Sequence, residues 1–148
     1  MSVIGEAALA EAKSWLGTPY VHQASVKGAG CDCLGLVRGV WRALYSGEPE
    51  RVPAYTADWS EASRDERLWR AALRHLQDAS ANDFCLGDVL LFRMRESAVA
   101  KHVGIVSAVG SAPKFVHAYT HHGVIESPLS EPWQRRIVGR FVFPERKN

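Results

Sequence analysis

Surplus charge is what this sequence most conspicuously lacks. Its 148 residues carry 18 Lys and Arg against 16 Asp and Glu, a net +2 with neutral histidines. So slight a balance gives no reason to expect a nucleic-acid partner, and suits an anionic polymer only permissively. Long apolar runs are missing too. Nothing approaches the ~20 residues that a membrane span needs, so no membrane insertion is expected. The start, Met1-Ser2-Val3-Ile4-Gly5-Glu6, has neither the basic region nor the apolar core of a secretory signal. The expectation is a chain kept in the cytoplasm, or one that leaves by a route needing no such signal. Repeats, low-complexity stretches and long linkers are absent as well. With 47% hydrophobic residues, a single domain over residues 1–148 is expected.

Cysteine is scarce and odd in number: Cys31, Cys33 and Cys85. Cys31 and Cys33 are poorly placed to bridge each other, because one intervening residue makes a strained ring. The simpler expectation is a reduced compartment and one special thiol.

What is present divides into a helical front and a strand-rich back. Residues 4–16 place Ile4, Ala8, Ala12 and Trp15 on one helical face, stopped by Gly17-Thr18-Pro19. A second helix over residues 33–46 buries Leu36, Val37, Val40, Trp41 and Leu44, with Gly47 as its closing residue. Residues 47–62 carry two prolines, Pro49 and Pro53, and no periodicity. Ser63 and Glu66 stand in capping-box relation and open a third helix over 64–78, with Leu68, Ala72, Leu73 and Leu76 inward. From Gly87 the period changes to two. Five short strands follow: Asp88–Met94, His102–Ser107, Lys114–Tyr119, Gly123–Ser127 and Ile137–Phe143. Helices first and closely spaced strands after predict an α+β fold with an antiparallel sheet.

Asp32-Cys33-Leu34-Gly35-Leu36 carries the most chemical information. Asp32 is a good N-cap, which puts Cys33 in the first turn, where orphan N–H groups and the positive helix end favour thiolate over thiol. The competing reading is a small buried cysteine packing the start of a core helix. A cysteine nucleophile needs a base that later protonates the leaving amine, and histidine suits both tasks. Of six histidines, His102 and His117 lie in expected strands, on the rigid elements that catalytic geometry demands. Taken singly, each could be a hydrogen-bonded strand histidine. With Cys33 they form a nucleophile, base and orienter set. His75 suits a helix C-terminus, His121 and His122 fall in a turn, and His22 follows the Tyr20 loop. Cys31 and Cys33 with His117, His121 and His122 supply zinc-ligand types, but their spacing fits no ordinary zinc module. No metal and no cofactor is expected.

The order Tyr20, Asp32-Cys33-Leu34-Gly35-Leu36, Gly87-Asp88-Val89-Leu90-Leu91-Phe92, His102-Val103-Gly104-Ile105-Val106 and Phe115-Val116-His117-Ala118 resembles the NlpC family of cell-wall cysteine peptidases. The matching pieces run from about residue 10 to 143. The resemblance implies a papain-like α+β fold, with helices packed on a sheet of about five antiparallel strands. It implies Cys33 as nucleophile, His102 as base and His117 as the polar residue that orients the imidazole. Tyr20 and Asp32 would bind substrate, Tyr20 near the oxyanion site. The implied partner is a peptidoglycan stem peptide, and the implied bond joins D-glutamate to a diamino acid.

Two departures stand out. Leu34 occupies a position where many family members have Ser, and Tyr20 continues into Val21-His22-Gln23 rather than Trp-Gly-Gly. The stretch Pro53-Ala54-Tyr55-Thr56-Ala57-Asp58-Trp59 looks like the version found in phage tail and gene-transfer-agent clusters. That subtype implies tail-protein partners, cytoplasmic synthesis without a signal and action at the cell wall. The alternatives are a weakly active structural tail component, an acyltransferase or thioesterase on the same fold, and a zinc-binding module.

Overall fold

The computed structural model describes residues 2–50, 66–80, 83–94 and 99–146. The first helix, α1 (Val3–Ser14), is capped by Ser2, whose Oγ accepts from the Gly5 N–H at 3.0 Å. Ile4, Ala8, Ala12 and Trp15 are all buried, as the periodicity predicts. A hairpin of β1 (Ser25–Val26) and β2 (Gly30–Cys31) leads into α2 (Cys33–Tyr45). Leu36, Val40 and Leu44 of α2 are buried, and Val37 and Trp41 pack partly buried against the same core. The helix closes on Ser46, which takes the left-handed conformation (φ 68°) expected of Gly47.

The third helix, α3, runs over Arg67–His75, shorter than the expected 64–78. Its N-cap is Glu66, with no side-chain capping bond; Ser63 lies outside the described residues. The carboxylate of Glu66 instead accepts from the Ala100 N–H at 2.7 Å and Arg93 Nη2 at 2.8 Å, tying the helix start to the sheet. Leu68 and Ala72 are buried and Leu76 packs against them, but Leu73 is exposed. Three inward positions over two turns are enough for so short a helix. Gln77 and Asp78 leave the helix altogether as β3.

Among the described residues the sheet has six strands, the five expected and a two-residue edge strand. Its order is β3, β8 (Ile137–Val142), β4 (Val89–Arg93), β5 (Ala100–Ala108), β6 (Lys114–Tyr119) and β7 (Gly123–Pro128), every neighbouring pair antiparallel. A two-residue strand such as β3 has no alternation to read, so its pairing with Val142 and Phe141 is a tertiary result. The buried Asp88 joins this edge to the centre. Its carboxylate accepts from Arg140 Nε and from the Cys85 N–H.

Alternation along β5 separates two apolar layers. Val103 and Ile105 join α1, α2 and α3, while Val106 packs with Leu90, Phe92, Phe115 and Leu129 on the other face. A short helix, α4 (Glu131–Arg135), lays Trp133 against that second layer.

Candidate active site

Cys33 is the first residue of α2, and the chain before it fixes that placement. Tyr20 bridges to Cys31, and Asp32 caps the helix by accepting from the Gly35 N–H (Oδ1, 2.7 Å) and the Gln23 N–H (Oδ2, 2.7 Å). Gly35 is required by close approach, because a Cβ there would lie 1.9 Å from the Ala24 carbonyl oxygen. The half-buried Cys33 thiol donates to the Lys101 carbonyl at 3.5 Å, immediately before His102 in β5. The nucleophile candidate therefore leans on the strand that carries the base candidate.

The electrostatics at this thiol reverse one expectation. N–H groups of Val103, Leu34 and Cys33 favour its ionised form, as a helix start should. Burial, and then the negative charge of Asp32, outweigh them and push the thiol up to about 12. The same two causes push buried Cys31 up to about 12. All three cysteines are free.

The two strand histidines form a buried pair. His102 Nε2 lies 2.8 Å from His117 Nδ1, and His117 Nε2 lies 2.9 Å from Ser127 Oγ. With Nε2 so engaged, Nδ1 is the His102 nitrogen left for a reacting proton. His102 is 7% exposed and His117 0%. Burial, then the neighbouring imidazole, holds His102 down to about 3; burial, then His122, holds His117 down to about 4. Thiol and both rings are thus neutral near neutral pH.

Two residues of this cluster carried no sequence signal. Ser127 ends an expected strand as an ordinary serine. Trp133 sits in a helix too short to show periodicity, yet its ring centroid lies 5.6 Å from that of His102 and 5.2 Å from that of His117. It roofs the pair with carbon and helps to hold water away.

Tyr20 is half-buried close to Cys33. Burial, then the charge Cys33 would carry, raises its hydroxyl, which also hydrogen-bonds Thr120. His22 is exposed, with Nδ1 3.8 Å from Asp32 Oδ2. His121 and His122 are exposed in the β6–β7 turn, His122 stacking on Tyr119, and His75 bonds Glu50 at 2.9 Å. These are the positions read from sequence: the end of a helix, a turn and a loop. Among the described residues, no group of three or more His, Cys, Asp or Glu converges to hold a metal. An apolar cleft of about 100 Å³ lies between α2, α3 and the sheet, lined by Trp41, Leu68, Leu91 and Phe141 among others. Its lining includes Leu34 and Val103, the neighbours of Cys33 and His102 in sequence, but neither Cys33, His102 nor His117.

Comparison with known proteins places this geometry in context. Residues 17–142 match the model of the NlpC/P60 family. The murein DD-endopeptidase MepS/murein LD-carboxypeptidase of Escherichia coli K12 is 32% identical over 123 residues, covering 82% of this chain and 54% of that protein. A probable endopeptidase of Haemophilus influenzae is 28% identical over 130 residues, covering 84% and 68%. The chain thus spans about half the length of the first relative. Among solved structures, NlpC2 from Trichomonas vaginalis superposes with a TM-score of 0.64 at 21% identity, covering 97% of this chain and 48% of that one. The NlpC/p60 domain of the peptidoglycan hydrolase SagA gives 0.61 at 22% identity, covering 95% and 100%. At such identities these structures speak for the fold.

Proposed function

The chain belongs to the NlpC/P60 family, and from that premise we propose that it is a peptidoglycan endopeptidase working through Cys33, His102 and His117. The observation that carries this reading is the lodging of the Cys33 thiol against the His102 strand, with the His102–His117 hydrogen bond behind it.

The neutral starting state defines the chemistry. As Cys33 Sγ bonds to the amide carbon, its proton passes to His102 Nδ1. The new imidazolium is steadied by His117 through Nε2. The oxyanion is met by the Cys33 N–H at the helix start and by the Tyr20 hydroxyl. Collapse breaks the C–N bond, and His102 returns the proton to the leaving amine, leaving a thioester on Cys33. His102 then takes a proton from water as that water attacks the thioester carbon; the C–S bond breaks, the proton returns to Cys33 Sγ, and the acyl peptide leaves as a carboxylic acid. Asp32 holds the backbone turn that aims the thiol and borders the substrate beside Tyr20.

The bond is assigned to a stem peptide. The resemblance at the Asp-Cys and His-Val-Gly-Ile motifs supports the bond between D-glutamate and a diamino acid. The name of the Escherichia coli relative, a murein DD-endopeptidase and LD-carboxypeptidase, supports a cut at a D,D-cross-link as the second reading. Carriage on a phage-like tail, with tail proteins as partners and the cell wall as place of action, rests on the likeness over Pro53–Trp59. Those residues lie outside the described ones.

Digestion of purified peptidoglycan, with mass analysis of released fragments, tests the proposal. Wild type should release peptides, and Cys33→Ala should release none. Fragments ending in D-glutamate support the first bond, and resolved cross-links support the second. Equal release by both proteins removes Cys33 from the reaction.

A further inference from the structure

We propose that Ser127 is a positioning residue that selects the reactive tautomer of His102 through His117. The inference rests on the catalytic reading above and extends the His102–His117 hydrogen bond by a third member.

The argument follows the protons. A neutral imidazole has one N–H donor and one acceptor nitrogen, and the bond at one nitrogen decides what the other can do. His102 can take the thiol proton only if its Nδ1 is bare. Its proton then sits on Nε2 and is donated to His117 Nδ1, 2.8 Å away. His117 must accept there, so its own proton sits on Nε2, facing Ser127 Oγ at 2.9 Å. A serine hydroxyl can donate or accept, and only with Ser127 Oγ as the acceptor does the chain leave His102 Nδ1 bare. The opposite orientation puts a proton on His102 Nδ1 and leaves no base for Cys33.

The setting leaves few other acceptors for this proton. His117 is fully buried, with Phe115 stacked on it at a centroid distance of 4.1 Å and Trp133 edge-on at 5.2 Å. Ser127 is half-buried, so its own hydroxyl proton can turn toward solvent while the oxygen accepts. Sheet register makes the contact. Phe115 pairs with Ser127 and His117 with Ile125, so His117 and Ser127 are diagonal neighbours on one face.

Ser127→Ala and Ser127→Thr decide the matter with two independent readouts. In Cys33→Ala protein, which needs no activity, nitrogen-15 shifts of the His102 and His117 rings report the tautomers. The Ser127 form should show the proton on Nε2 of both rings. The Ala form should show a mixture, and the Thr form should restore the Ser pattern. On muropeptides with Cys33 present, Ser127→Ala should lower kcat roughly tenfold or more with KM little changed, and Thr should recover most of it. Identical tautomers in Ser and Ala forms, or a Thr form as impaired as Ala, would overturn the proposal. If wild type cleaves no wall fragment, the peptidase reading fails, and the tautomer comparison alone still decides the role of Ser127.

Discussion

The Cβ that Gly104 lacks would lie 2.7 Å from Cδ2 of Phe115 and 3.2 Å from Cβ of His117. Two residues after His102, β5 therefore leaves a gap that side chains of β6 fill. Phe115 stacks on His117 at 29° within that gap, so the spacing of the two imidazoles depends on an atom that is missing. Gly104→Ala should push Phe115 and His117 outward. The expected cost is about 1–3 kcal/mol of stability, with a fall in kcat larger than the change in KM. Urea denaturation and muropeptide turnover would measure both, and unchanged turnover would free His117 from this packing.

Asp32 helps to hold the Cys33 thiol neutral through its charge, besides capping the helix. Asp32→Asn removes the charge and keeps a good N-cap, while one of the two N–H groups loses its acceptor. Stability should drop by about 1–3 kcal/mol, and the pH midpoint for Cys33 alkylation should move down. Peptide mapping after iodoacetamide labelling reads this as a faster Cys33 labelling rate at any pH between 8 and 10, where the thiolate fraction limits the rate. An unchanged labelling rate would mean that burial alone sets the thiol.

The two histidines should separate by role. His102→Ala should abolish turnover, because the proposed reaction passes the thiol proton to this ring. His117→Asn should keep a measurable fraction, since an amide can still bond His102 Nε2 but cannot reproduce the Ser127 relay. His121→Ala and His122→Ala should cost little, both rings being exposed. Initial rates on purified muropeptides test the set, and an essential His122 beside a dispensable His117 would reverse the assignment.

Acid should unfold this protein through the same pair. Both rings are held below the unfolded value near 6.5, so the unfolded chain takes up their protons first as the pH falls. Their contribution is complete above pH 6.5 and shrinks on the way down, until each folded ring itself titrates near 4 or 3. Between pH 7 and 4.5 the pair should cost on the order of 5 kcal/mol. Trp133→Ala, which admits water to both rings, should lower stability at pH 7 and flatten this pH dependence. Urea midpoints at the two pH values give the comparison, and a parallel shift of both curves would deny Trp133 its shielding role.

How much of this was legible in the sequence varies with the range of the interaction. The faces of α1 and α2, the Asp32 cap and the central strands could be read because they repeat locally: Ile4, Ala8, Ala12 and Trp15 all landed in the core. The third helix could be read only in part. Leu73 satisfies the pattern but faces solvent, and residues 77–78 gave up helix for pairing with β8. The likeness over Pro53–Trp59 that implies tail-protein partners falls outside the described residues.

The sequence by itself determined the α+β order of elements, the thiol at a helix start and the candidate residues Cys33, His102 and His117. Those features are set by side-chain period and capping chemistry within a few neighbours. Only the tertiary structure decided that burial and Asp32 outweigh the helix start at Cys33, and that Ser127 and Trp133 belong to the imidazole pair. Desolvation depends on everything packed around a group, and a diagonal contact across two strands depends on register. Neither quantity is carried by any short stretch of chain.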